Sequence, residues 1–198
     1  FGDLKYPADF KHLDYVDPNA PKGGAFSQIG PAIQYNQSFL TFNSLNSYIL
    51  RGDAALGMER TFTSLMTGAA DEPDSMYGLA ARSVQISDDG LVYRFTLRPG
   101  LTFHDGTPLD AHDAVFSLTV LKDKGHPIIQ ALLRDFDGAE ATDDRTLVVR
   151  FKEKRGRDVP LFVAGLPIFS RAFYTKPPVE ESTLGAPPGR GPSKVGRF

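Results

Sequence analysis

An α+β fold is predicted for this 198-residue chain by three features of its sequence. Leu91, Tyr93, Phe95 and Leu97 alternate with Arg94, Thr96 and Arg98, which places the two sets on opposite faces of a strand. The turn before them, Ser87-Asp88-Asp89-Gly90, is a hairpin signal because Asp-Gly tolerates positive φ. A similar unit at Thr142-Asp143-Asp144-Arg145, leading into Leu147, Val149 and Phe151, predicts a second hairpin in the same antiparallel sheet. Between the hairpins, Asp110 to Gly125 carries the start, face and stop signals of a helix.

Taken in order, the first 24 residues mix Tyr, Phe and Leu with Pro, Asp and Lys and keep no steady period. They predict an ordered extended arm pinned by its aromatic residues. Gly23-Gly24 then launches a short predicted strand, Ala25 to Ile29. Gly30 to Gly52 forms a polar, aromatic-rich loop, and long ordered loops in compact domains are usually functional. Phe39, Leu40, Phe42, Leu45 and Ile49 serve equally well as fasteners of that loop to the core. Asp53 as N-cap and Gly68 as stop predict a helix, with Ala55, Met58, Phe62, Leu65 and Met66 on one apolar face.

In the helix between the hairpins, Asp110 is the expected cap and Asp113 adds negative charge to the first turn. Ala111, Ala114, Val115, Leu118 and Leu121 form its buried face, while Lys122 and Lys124 suit the carboxyl end of the helix dipole. Gly125 and Pro127 stop it, and a shorter helical run is expected over Ile128 to Phe136. The basic run Arg150 to Arg157 reads as a solvated hairpin end or as a contact for membrane lipids or a transporter subunit. The tail from Lys176 is rich in Pro and Gly, and Lys194 to Phe198 looks like the start of a strand with no sequence after it. The chain is therefore expected to be a piece of a longer protein.

Composition narrows the function classes. Hydrophobic residues at 41% and charged residues at 23% fit a globular domain with its own core. A net charge of −2 gives no electropositive footprint, so no nucleic-acid partner is expected. No apolar run approaches bilayer length; the longest, Leu161 to Phe169, is interrupted by Gly165 and Pro167. Cysteine is absent, which removes disulfides, thiolate nucleophiles and Cys-ligated zinc together. Phe1 opens directly into polar sequence, as a mature exported chain does after its signal peptide is removed, and as a cytosolic chain does too.

The run YRFTLRPGLTFHDGTPLDAHDAVFSL, Tyr93 to Leu118, is similar to the signature of family 5 extracellular solute-binding proteins. Phe95, Leu97, Arg98, Gly100, Phe103, Asp105, Gly106, Thr107, Pro108, Ala111, Asp113, Val115, Phe116 and Ser117 match its strand, turn and helix pattern. Lys5 to Gly24, Phe42 to Ala55 and Ser64 to Val84 resemble the YejA-type subgroup of oligopeptide carriers. Gly189 to Phe198 resembles a Gly-x-Gly-Pro-Tyr-Lys-Val motif, with Ser193 where Tyr is usual; His112 stands where Glu is common.

The resemblance implies a periplasmic-binding-protein-like lobe of type II, cluster C. It pairs a mixed sheet with an inserted smaller antiparallel sheet and helices, and its second lobe is absent from this chain. It further implies an amino-terminal arm and lobe start at residues 1–60, an inserted subdomain at 61–174 and a return segment at 175–198. Members capture a substrate, here an extended oligopeptide, in the periplasm, and deliver it to ABC transporter permease subunits. They act as monomers, without a cofactor and without making or breaking a bond. In such carriers the loop between the first strand and first helix faces the cleft, which makes Asn43, Asn46, Tyr48, Arg51, Gly52 and Asp53 the candidate ligand-binding residues. Arg51 could meet a carboxylate or peptide carbonyl, and Gly52 could allow close backbone approach. A solvated Arg, a turn Gly and a helix-cap Asp account for the same residues.

Rival chemistries have weaker support. His104, Asp105, Asp110, His112 and Asp113 could supply metal ligands, but no metal-binding His spacing is present. Asp105-Gly106 reads as a turn, and Asp110 and Asp113 as helix-start residues. No Gly-x-Ser-x-Gly elbow marks a serine nucleophile, and GRGPSK lacks phosphate-loop spacing. The other readings are an interaction module reusing the lobe, or a carrier of a non-peptide ligand such as an opine or a modified peptide antibiotic.

Overall fold

A computed structural model describes residues 3–21, 23–25, 27, 33–153, 156 and 158–196. The alternating segments form strands where the sequence places them. Strand β1 (Met66–Ala69) pairs antiparallel with β2 (Glu72–Gly78) as a separate ribbon. Strands β3 (Ala81–Ile86) and β4 (Val92–Leu97) are joined by the Ser87–Gly90 turn, closed by the Ser87 amide donating to the Val92 carbonyl. Helices α1 (Ala111–Lys124) and α2 (Pro127–Leu132) follow. Strands β5 (Phe136–Asp143) and β6 (Thr146–Phe151) make the second hairpin, and α3 (Asp158–Gly165) comes after it.

The two hairpins share one antiparallel sheet in the order β3-β4-β6-β5, as the repeated turn signal predicts. Register sets Phe95 opposite both Val84 and Leu147, and Tyr93 opposite Val149. Phe95, Leu97, Leu147 and Val149 are buried in one continuous core with the α1 residues Ala114, Leu118 and Leu121. Helix α1 opens with a full capping box: Asp110 accepts from the His112 and Asp113 amides, and Asp113 Oδ2 accepts from the Asp110 amide. Four of the five predicted core positions of α1 are buried. Val115 is only half-buried, and Asp113 and Ser117 are buried in its stead. Their polar atoms explain the burial. Ser117 Oγ donates to the Asp113 carbonyl and accepts from the Phe169 amide, and Asp113 Oδ1 accepts from the Arg171 amide.

Two predicted helices are corrected. The expected helix from Asp53 to Gly68 does not form: Met58–Thr61 makes a single 3₁₀ turn, Phe62 is extended, and Met66 already lies in β1. Gly57 sits at φ +81°, which interrupts a helix there, and Thr61, Thr63 and Thr67 are β-branched residues that favour extended backbone. The 58, 62, 65 spacing still marks core residues, because all three are buried by other geometry. The expected run from Ile128 to Phe136 ends at Leu132, since Phe136 is taken by β5 opposite Phe151.

The arm behaves as expected. Tyr6 is buried against Phe10 and the β2 residue Tyr77, with ring centroids 5.3 and 5.4 Å away, and Lys5 pairs with Asp71 and Asp14. The predicted strand Ala25 to Ile29 rests on Phe26, Gln28 and Ile29, which lie outside the described residues, as do Lys154, Arg155 and Arg157 of the basic run. The strand start expected from Lys194 shows no strand over residues 194–196, and its remaining positions, 197 and 198, lie outside them as well. The mixed part of the lobe is represented by bridges: Ala54 pairs in parallel with Gln37 and Ser44, and Ser64 pairs antiparallel with Pro167. No described helix is long and apolar enough to cross a membrane.

Candidate ligand-binding site

The loop of residues 33–53 is held by its own polar side chains and by the tail. Asn46 is buried; its Nδ2 donates to the Val179 carbonyl at 2.6 Å and its Oδ1 accepts from the Tyr48 amide at 3.2 Å. The Leu45 amide donates to the Thr183 carbonyl at 2.6 Å. Asn43 Oδ1 accepts from the Asp53 amide at 2.9 Å, closing the turn that contains Gly52. Gly52 has φ +81°, and a Cβ there would stand 2.9 Å from Asn43 Oδ1 and 3.2 Å from Ser182 Cβ. Close approach of the chain to itself therefore requires this glycine.

The six predicted residues thus divide. Asn43, Asn46 and Gly52 spend their hydrogen bonds or their missing side chain on the loop's shape. Asp53 is exposed, accepts from Thr41 Oγ1 at 3.2 Å and caps no helix, since none follows it. Arg51 is exposed; its carbonyl accepts from Asn36 Nδ2 at 3.0 Å, and among the described residues its guanidinium makes no ion pair. Tyr48 is buried in the aromatic cluster with Phe62 and Phe169.

Tyr48 also lines a cavity of about 350 Å³ whose other lining residues include Tyr35, Glu59, Phe62, Thr63 and Phe162. Sequence reasoning missed Tyr35, Glu59 and Phe162. Tyr35 adopts φ +51°, uncommon for an aromatic residue and a pointer to a functional position. Its ring packs 5.8 Å from Tyr48 and 5.5 Å from His126. Glu59 is half-buried and accepts from Gln37 Nε2 at 3.1 Å through Oε2; among the described residues no cationic side chain pairs with it. Burial pushes the Tyr48 phenol well above its ordinary value, and Tyr35 and Glu59 push it further. A sequence signal for Glu59 existed only in its place next to the loop, in a segment read as helix.

The signature segment and the tail meet nearby. Gly191 donates its amide to the Thr61 carbonyl at 2.7 Å, and Ser193 donates to that of Arg60 at 3.2 Å. The His104 amide donates to the Gly189 carbonyl at 2.7 Å, and His104 Nε2 lies 2.9 Å from the Gly191 carbonyl. A Cβ on Gly189 or Gly191 would fall 1.8 or 2.1 Å from those early carbonyl oxygens. GRGPSK is thus a backbone clasp. The polar cluster read as possible metal ligands is engaged as well: Asp105 accepts from Thr107, Asp110 and Asp113 form the helix cap, and His112 faces Asp144 at 3.8 Å.

Comparison with known proteins agrees with this anatomy. Residues 75–198 match the model of bacterial extracellular solute-binding proteins, family 5, middle region. The chain belongs to that family. Among curated relatives it is similar to the peptidoglycan-binding protein YepA of Agrobacterium fabrum, 32% identical over 98% of this chain and 32% of the relative. The probable peptide-binding protein YejA of the same organism is 32% identical over 98% of this chain and 31% of the relative. The chain spans about a third of the length of these curated relatives.

Solved structures give the same fold for this family 5 chain. DppA from Helicobacter pylori in complex with the peptide STSA aligns with a TM-score of 0.61 at 21% identity, covering 79% of this chain and 35% of that one. AppA from Bacillus subtilis in complex with a nonapeptide gives 0.60 at 20% identity, covering 84% and 33%. NikZ from Campylobacter jejuni, in complex with Ni(L-His), gives 0.61 at 23% identity, covering 71% and 28%. The architecture is a partial lobe of a type II periplasmic binding protein. The family is one of substrate-binding proteins that work with ABC transporters.

Proposed function

We propose that the full protein is the substrate-binding component of an ABC importer, capturing extended oligopeptides in the periplasm, and that this chain supplies part of one lobe. The match of residues 75–198 to the family 5 model carries this reading. The peptide-binding name of the relative YejA of Agrobacterium fabrum and the peptide complexes of two structural neighbours favour peptide over other cargo. An extended peptide can pair its main chain with cleft backbone, while roomy hydrated pockets tolerate varied side chains. Among the described residues the Arg51 guanidinium has no ion-pair partner, and we assign it to a peptide carbonyl or carboxylate. Asn43, Asn46, Gly52 and Asp53 would hold the loop that presents Arg51 and Tyr48.

Mass spectrometry of ligands released from the intact purified protein tests the cargo class. Short peptides are expected. Release of a metal chelate or a sugar conjugate in their place, or turnover of a substrate, refutes the reading. In the same protein Arg51→Ala should weaken peptide binding about five- to tenfold by calorimetry, the loss of one charge-assisted hydrogen bond.

A further inference from the structure

The cavity beside the loop is built unlike a general peptide pocket. It combines four aromatic rings, from Tyr35, Tyr48, Phe62 and Phe162, with the carboxylate of Glu59. Aromatic faces attract cations, and a carboxylate in a partly desolvated site without a cationic partner is costly. Glu59 is held by Gln37, itself buried, so the carboxylate is positioned in advance of any ligand. Tyr35 keeps a strained backbone while its ring packs against Tyr48 and His126.

We propose that this cavity receives an alkylammonium group of the cargo, with Glu59 as its counter-charge and the four rings as its walls. The proposal rests on the peptide-binding reading and adds the chemical class recognised at this position. A bare metal ion fits poorly, since no group of three or more His, Cys, Asp or Glu residues that could hold one stands together among the described residues. A guanidinium fork wants both carboxylate oxygens, and Gln37 already uses Oε2. One ammonium needs only the remaining lone pairs. The ammonium can come from a peptide's amino terminus or from a lysine-like side chain, which share this chemistry.

Calorimetry on the intact protein separates these sources with three probes: the peptide Ala-Ala-Lys-Ala, its Nε-acetyl-lysine analogue and its Nα-acetyl analogue. One of the two acetylations should weaken binding about tenfold or more, and which one does so identifies the source. Glu59→Gln should weaken the parent peptide to the level of that analogue and abolish the discrimination. Equal affinity for all three probes in the wild-type protein overturns the inference while leaving peptide binding intact. So does discrimination that survives Glu59→Gln, or an equal loss for every probe in the variant, as expected if Glu59 pairs with a cation of the protein itself. Absence of binding by all three probes removes the peptide reading and this inference together. The wild-type comparison stands whether or not the variant folds.

Discussion

At the residue scale, buried polar atoms do much of the positioning, and their effects can be measured one side chain at a time. Asp113 accepts from the Asp110 and Arg171 amides, so it joins the start of α1 to the segment after α3. Asp113→Ala leaves those donors unsatisfied and should cost about 2–3 kcal/mol in denaturant unfolding. Asp113→Asn, which keeps one acceptor oxygen, should cost less. Gly191→Ala forces a methyl group into the space of the Arg60 carbonyl and should cost about 3 kcal/mol or unfold the clasp. The cap was legible in the sequence because Asp110 and Asp113 stand three apart before an apolar face. The burial of Asp113 was not, since its partner Arg171 is 58 residues away. Asn43 and Asn46 show the same limit: an Asn in a loop reads as ligand lining or as a staple, and only the Asp53 and Val179 contacts distinguish the two.

At the element scale, the hairpins and α1 were readable because turn chemistry and apolar period agree there. Residues 53–68 were misread because spacing alone suits a helix while Gly57 and the Thr residues favour extended backbone. The arm is docked by chemistry that responds to acid. Lys5, then Tyr6, holds the Asp71 carboxyl below its ordinary 3.8, and Tyr77 holds that of Glu72 below 4.5. A carboxylate with a lowered folded pKa stabilises the docked state fully above its unfolded value and loses that contribution as pH falls through the folded one. Ring resonances of Tyr6 and Tyr77, followed by NMR with labelled tyrosine, should therefore stay constant above about pH 5. They should shift toward unpacked positions as the pH falls below 4. A shift on alkalinisation through pH 6–8 instead would contradict these contacts.

At the scale of the whole molecule, one hydrophobic cluster joins the loop, the four-stranded sheet, α1 and the tail, with Phe169 fully buried among Tyr48, Phe62 and Tyr174. Phe169→Ala should cost about 3–5 kcal/mol and loosen the loop along with the core. Excess peptide at a hundredfold over its Kd should stabilise the intact protein by about 2.7 kcal/mol, read as a raised Tm. The tail clasp has a further consequence for synthesis. Residues 179–193 are the partners of residues 44–46 and 60–61, so more than a hundred residues must leave the ribosome before the early loop can close. Non-local closure of this kind is slow. A nascent chain released short of Gly189 should keep its opening third open to chaperones and proteases, and the seal should come only with the last residues of the clasp.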